Sequence, residues 1–129
     1  MSLPHAILVI NPGSTSTKIA VTEEDRITHA ETLRHDVSEL SRYERIWDQL
    51  NYRLMLCRHW SAARLEKCSA VVARGGLLRP LPGGTYRVTP QMLDDAKGNF
   101  QGEHASNLGC ALVHGALRVL KGEEEAKAY

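Results

Sequence analysis

The sequence predicts an α/β fold in which an antiparallel three-strand meander is extended by parallel strand(s) and flanked by helices. Three observations carry that prediction. Two β-branched runs, Ile7–Ile10 and Ile19–Val21, bracket a short polar loop; helical periodicity follows over about residues 38–61; and a continuous apolar run, Ala70–Ala73, comes after it. The first pattern is a hairpin, and a helix between strands is the crossover that parallel pairing needs.

The loop between the first two runs is Asn11-Pro12-Gly13-Ser14-Thr15-Ser16-Thr17-Lys18. Gly13 lets the backbone pass where a side chain would clash, and Pro12 fixes φ. Successive N–H groups are then free to form a concave nest for an oxyanion. Ser14, Thr15, Ser16 and Thr17 add hydroxyls, Asn11 an amide and Lys18 a charge. The Walker loop is excluded, because it needs a second glycine before the lysine and a helix after it, whereas here a strand follows. An ordinary polar hairpin turn is the competing reading.

Glu23-Glu24-Asp25 is an acidic turn, and Arg26–His35 is a third strand with partial alternation, completing the meander. Ser41 followed by Glu44 matches a capping box. Tyr43, Ile46, Trp47, Leu50, Leu54 and Cys57 recur at helical spacing, so the expected helix runs from about Ser38–Ser41 to about His59–Ser61. Arg45, Asp48, Gln49, Arg53 and Arg58 fall on its other face and read as solvated. Trp47 and Trp60 read as packing residues. Ala70–Ala73 suits a buried strand.

Arg74-Gly75-Gly76-Leu77-Leu78-Arg79-Pro80-Leu81-Pro82-Gly83-Gly84-Thr85-Tyr86-Arg87-Val88 begins where that strand ends. Open α/β sheets bind ligands at the carboxyl ends of their strands, so Arg74 is placed to grip a carboxylate or phosphate, and Gly75-Gly76 would let it approach. The alternative is a pair of glycine turns with Arg74 in a surface ion pair. Arg79 and Arg87 are weaker candidates. Thr89 and Pro90 mark the start of a short helix that Gly98 and Asn99 end. Gln101–Gly109 is then a polar cluster opening an apolar helix through Leu112, Val113, Ala116, Leu117 and Leu120, with Gly122 ending it. A helix start offers N–H groups to an anion, and His104 adds a titratable donor or serves as a plain structural cap.

Composition bounds the rest. A chain of 129 residues with 43% hydrophobic content is one domain by length, and a net charge of +1 leaves no electrostatic footprint for nucleic acid or an anionic membrane. No apolar run approaches the ~20 residues that span a bilayer. Cys57, Cys68 and Cys110 contain no C-x-x-C pair, and no secretory leader precedes the first strand, which suggests a cytoplasmic home. The cysteines read as core or helix-face residues. His5, His29, His35, His59 and His114 show no metal-ligand spacing, so no protein-held metal is expected.

Three stretches resemble a known family. Asn11–Lys18 resembles the first phosphate loop of the acetate and sugar kinase/Hsp70/actin (ASKHA) superfamily and is worded most like butyrate kinase. Arg74–Val88 is similar to that family's Arg-Gly-Gly-Leu-Leu-x-Pro-x-x-Gly-Gly-Thr-Tyr, with Ala73 where a glycine would be expected. Gly102-Glu103-His104-Ala105-Ser106-Asn107-Leu108-Gly109 matches its Gly-Glu-His-Ala-Ser-Asn-Leu-Gly. Acetate kinases have a related His-Gly-Gly segment, with their arginine slightly earlier.

The resemblance implies a ribonuclease-H-like ASKHA N-terminal lobe over residues 1–129. The strand leading to Asp-Pro-Val and the C-terminal nucleotide-binding lobe would begin about where Glu123–Tyr129 stand and are not in the sequence. It implies an ATP-dependent butyrate (short-chain carboxylate) kinase that makes an acyl phosphate and ADP, with ATP and Mg²⁺ as cofactors of the complete enzyme. Arg74, Asn11 and His104 would be catalytic. Gly13, Ser14, Thr15, Ser16, Thr17 and Lys18 would bind phosphate. Gly75, Gly76, Glu103 and Asn107 would bind substrate, with Glu103 orienting His104. A lone lobe is expected not to turn over. The alternative is a non-catalytic module acting by self-association (a homo-oligomer) or by docking to a complete kinase. A sugar kinase would fit the hairpin but not the two later motifs.

Overall fold

The computed structural model describes residues 6–64, 67–99, 101–120 and 127–129, without the side chains of 118–120, 127 and 128. Met1–Leu3, His5, Gly122 and Glu123–Ala126 lie outside the described residues.

Strands β1 (Ala6–Pro12) and β2 (Ser16–Glu23) pair antiparallel with Ile10 opposite Ile19 and Asn11 opposite Lys18. β3 (Arg26–Arg34) returns antiparallel to β2 after Glu24-Asp25, where Glu24 takes a positive φ of 55°. β4 (Cys68–Ala73) adds parallel to the other edge of β1, and β5 (Lys127–Ala128) adds parallel to β4, giving the order β3-β2-β1-β4-β5. The meander and its parallel extension are thus as expected.

One sheet face carries the core. Ala6, Leu8 and Ile10 of β1, Ile19 and Val21 of β2, and Val71 of β4 are buried with Leu54, Cys57, Leu112, Val113 and Ala116 of the helices α2 (Leu50–Ser61) and α4 (Gly109–Leu120). Alternate residues Ile7, Val9, Ala70 and Val72 are half-buried on the other face. Continuous apolarity in β4 therefore does not mean burial on both sides, as expected from sequence; Val71 is covered and its neighbours are partly open. β3 is an edge strand with Leu33 alone half-buried, so its partial alternation has no burial behind it. Its charged residues suit an unpaired edge.

The single helix expected from about Ser38–Ser41 onward is in fact divided. A four-residue α1 (Val37–Leu40) is capped by Asp36, whose carboxylate accepts from Ser38 N at 2.9 Å and Ser38 Oγ at 2.8 Å. Ser41 closes α1 rather than opening a helix with Glu44. The chain re-enters through a 3₁₀ turn, Ile46–Gln49, which runs into α2. Asp48 reaches back to the Arg45 amide at 3.2 Å, so this turn has its own local start signal, four residues past the predicted cap. Trp47 and Trp60 pack against the core as expected, and Arg64 lies over the Trp60 ring at 4.3 Å.

α3 (Pro90–Lys97) begins as predicted, with the Thr89 hydroxyl accepting from Met92 N at 3.2 Å and Pro90 in the first turn. A second 3₁₀ turn, Ala105–Leu108, leads into α4. Cys57 and Cys68 are buried and Cys110 is half-buried. Burial pushes the Cys57 thiol up to about 12 and the Cys110 thiol to about 11, which fits packing roles for both.

Candidate functional site

Because β1 and β4 run parallel, the loop after β1 and the segment after β4 leave the sheet at the same edge. The first of these is built from its backbone. Gly13 N donates to Ser16 O at 2.7 Å, closing the turn. Arg53 Nη1 donates to Gly13 O at 2.6 Å and Ser16 O at 3.2 Å, its Nη2 donates to Ser14 O at 3.1 Å, and His35 N donates to Thr15 O at 2.9 Å. Every loop carbonyl from Gly13 to Ser16 is thereby held from the protein side. In a planar trans peptide the next N–H points opposite to the carbonyl, and no cis bond occurs among the described residues. The amides of Ser14, Thr15 and Ser16 accordingly face away from Arg53 and His35. Ser14 and Thr15 are exposed, and their N–H groups have no partner among the described residues.

Sequence reasoning assigned Arg53 and Gln49 to a solvated face, and the structure corrects this. Arg53 is 0% exposed and Gln49 8%. Gln49 Oε1 accepts from Arg53 Nε at 3.1 Å and Nη2 at 2.9 Å, and Thr17 Oγ1 accepts from Nη1 at 3.3 Å. Thr17 Oγ1 also lies 2.8 Å from His35 Nε2, and the His35 ring meets Tyr52 edge-on at 5.3 Å. Burial first, then the Arg53 charge, lowers the His35 pKa to about 4, so the imidazole is neutral near pH 7. Thr17 is therefore committed to the interior rather than offered to a ligand. A signal for Arg53 was present in the sequence. Ile46, Gln49, Leu50, Arg53, Leu54 and Cys57 fall at the i, i+3, i+4, i+7, i+8 and i+11 positions of one helix face, with two polar residues set in an apolar stripe.

Asn11 and Lys18 are paired across β1 and β2 and share a hollow of about 440 Å³ with Val9, Ala20 and Thr32 on the half-open sheet face. Arg74 follows Ala73, the residue opposite Ile10, so Arg74 leaves the sheet beside Asn11. It is exposed. Arg74, Gly75 and Gly76 line a separate cavity of about 640 Å³ together with Leu77, Tyr86 and Asn107. The hairpin loop does not line that cavity.

The two glycines after Arg74 do different things. A Cβ on Gly75 would meet nothing within 4 Å, whereas one on Gly76 would stand 2.6 Å from Asn107 Cα and 2.7 Å from Ser106 O. Gly76 thus lets the protein's own backbone approach, and open space for a ligand remains at Gly75 alone. Gly109 does the same from the other side, since its Cβ would lie 2.6 Å from Arg74 O. Asn107 is a clasp. Its Oδ1 accepts from Leu77 N at 2.7 Å and its Nδ2 donates to Gly102 O at 2.9 Å, which engages both ends of the amide internally.

The expected pairing of Glu103 with His104 is not formed. Glu103 Oε1 accepts from Ile46 N at 2.6 Å and caps the first 3₁₀ turn. His104 Nδ1 lies 2.7 Å from Ser106 Oγ and accepts from Ser106 N at 3.1 Å, so His104 caps its own turn and lines neither hollow. Farther along, Arg79 holds Asp95 in a two-pronged pair at 2.6 and 2.8 Å. That pair lowers the Asp95 pKa, chiefly through the Arg79 hydrogen bonds. Among the described residues, no three His, Cys, Asp or Glu side chains cluster to hold a metal ion, and no helix is long and apolar enough to cross a membrane.

No protein-family model matches the chain. Solved structures similar to it include RuvC of Thermus thermophilus, with a TM-score of 0.46 and 13% identity over 96% of this chain and 61% of that one. They also include a PPX-GPPA enzyme of Aquifex aeolicus, with a TM-score of 0.51 and 10% identity over 97% of this chain and 53% of that one. The fold is ribonuclease-H-like. This chain spans between about half and three-fifths of the length of those two proteins. At such identities the likeness concerns fold, and the chemistry has to be argued from the site.

Proposed function

We propose that the chain is the N-terminal lobe of an ATP-dependent kinase for a short-chain carboxylate, a butyrate kinase by the resemblance of its three motifs, forming an acyl phosphate and ADP. The observation that carries this reading is the loop after β1. Its carbonyls are turned inward and its Ser14 and Thr15 amides are left facing solvent, at the sheet edge where Arg74 emerges.

Such a loop offers N–H and O–H donors and the Lys18 ammonium, a set that suits a phosphoryl group rather than a cation. Mg²⁺ would arrive on the nucleotide and supply charge neutralisation there. Gly13–Ser16 and Lys18 would cradle the transferring phosphoryl group, with Asn11 beside it. Arg74 would hold the acceptor carboxylate or stabilise charge on it, and the wall of Leu77, Leu81 and Tyr86 would take the alkyl tail. Asn107 and Gly76 would serve by fixing the shape of that cavity, and His104 by capping the turn beneath Asn107. The nucleotide would bind to a second lobe outside this sequence, so the chain alone would hold the acyl phosphate without making it.

The test is titration with butyryl phosphate followed by ¹⁵N–¹H correlation spectra. Saturable shifts at Gly13–Lys18 and Gly75, lost in Arg74→Ala, are expected. In the presence of ATP, Mg²⁺ and butyrate, hydroxylamine should trap no acyl phosphate above background. Shifts confined to other regions, or none, would sink the reading. Turnover abolished by Arg74→Ala would mean that the chain assembles a working site unaided.

A further inference from the structure

We propose that Arg53 is the resident cation of the loop: its buried guanidinium, with no carboxylate partner among the described residues, turns the amides outward and supplies the positive charge that draws a phosphate-type oxyanion to them. The inference rests on the reading of the loop as a phosphate site and extends it to a residue that sits beneath the ligand and never touches it, a positioning residue.

A buried charge is ordinarily paired, because desolvating it alone is costly. Arg53 is 0% exposed, and its acceptors are neutral: the carbonyls of Gly13, Ser14 and Ser16, the Thr17 hydroxyl and the Gln49 amide. Neither ion pair among the described residues includes it. Guanidinium does not deprotonate in proteins, so the charge stays. Each held carbonyl is the negative end of a peptide dipole whose positive end, the next N–H, lies on the ligand side. The cation and the dipoles therefore add in the same direction. His35, kept neutral by burial and by Arg53, brings no second charge. An oxyanion on the outer side of the loop would be the counter-charge that the interior lacks.

Charge and geometry can be separated at Gln49. Its Oε1 bonds Arg53, and its amide nitrogen has no hydrogen bond among the described residues, so Gln49→Glu keeps the acceptor while neutralising the guanidinium. Inorganic phosphate, titrated against the Ser14 and Thr15 amide signals at low ionic strength, is the probe. The expected result is binding by the wild-type chain and about tenfold weaker binding by Gln49→Glu, with its melting temperature unchanged or raised. A purely structural Arg53 would predict equal affinities, and that result would overturn the inference while leaving the loop reading intact. Absence of phosphate shifts at Ser14 and Thr15 in the wild type would remove the loop reading and this inference with it. Should Gln49→Glu not fold, Arg53→Lys against Arg53→Met decides: lysine should retain phosphate binding that methionine loses, and equal binding by the two overturns the charge role.

Discussion

Residues 13–16 and residues 74–88 leave the same edge of the sheet, yet the first segment is bonded through each of its carbonyls. The second hangs from Asn107 near one end and from the Arg79–Asp95 pair farther along. The short loop is shaped from beneath by a buried side chain of α2. The long one is exposed over nearly its whole length and encloses a cavity. The difference separates two ways of holding a loop. One is pre-organised, so the ligand proposed for it would leave little to order. The other is tethered at points and keeps freedom to change shape.

The largest expected effect breaks the pre-organised side. Arg53→Met removes the donor to Gly13, Ser14 and Ser16 carbonyls and strands Gln49 and Thr17, and should cost about 3–5 kcal/mol in urea unfolding. Hydrogen exchange at the Gly13 and His35 amides, which are bonded to the loop carbonyls of Ser16 and Thr15, should accelerate well beyond that of β3. A loss below about 1 kcal/mol would mean that the turn bond from Gly13 N to Ser16 O holds the loop unaided.

The same cluster gives the protein a pH dependence. His35 titrates at about 4 when folded against an ordinary 6.5, so the unfolded chain takes up the proton first as pH falls. Stability from this group is complete above about pH 6.5 and is lost progressively down to about pH 4, with a slope of up to about 1.4 kcal/mol per unit. The charged and polar groups facing it are Arg53 and Thr17, with the Tyr52 ring alongside. Unfolding curves from pH 7 to 4 should show the slope in the wild type and lose it in His35→Gln.

On the tethered side, Asn107→Ala leaves the Leu77 amide and the Gly102 carbonyl without their partner and should cost about 1–3 kcal/mol. Gly76→Ala, which drives a methyl into Asn107, should do comparable damage. Gly75→Ala, with open space around it, should leave the unfolding midpoint in place. Equal effects of the two alanines would show that neither glycine marks a close approach.

How much of this could be read from residues alone differs between the two loops in the same way. β-branched runs, the Thr89-Pro90 cap and the apolar run before Arg74 have local causes, and local causes are legible; they placed the meander, α3 and the parallel strand. The hairpin turn with its hydroxyls and glycine was legible, but what orients its carbonyls was not. Arg53 lies 40 residues from Gly13 in sequence, and periodicity gives a face without saying what that face meets. The partners of Glu103 and Asn107 went unseen for the same reason. Both carry groups that could serve a ligand, and each is spent on a backbone group of the protein, Glu103 on Ile46 and Asn107 on Leu77 and Gly102. The division of the long helix went unseen because Ser41 and Glu44 imitate a cap, while Asp36 and Asp48 supply the working ones.

The smallest effect on global stability should come from Arg79→Ala, and it is the one that sharpens the comparison most. Arg79's side chain is 46% exposed, and such ion pairs contribute little to unfolding free energy, so the urea midpoint should barely move. What the pair does is join the middle of the 74–88 segment to α3. Without it, the side-chain hydrogen bond left to the stretch from Leu78 to Arg87 among the described residues lies within the stretch itself, from Tyr86 Oη to Pro82 O at 2.6 Å. Limited proteolysis by chymotrypsin should then cut after Tyr86 severalfold faster than in the wild type, with the Gly13–Thr17 amides unchanged in exchange. Cleavage at the wild-type rate would mean that the walls of the cavity hold themselves, and the contrast between a clamped loop and a tethered one would fail at its second term.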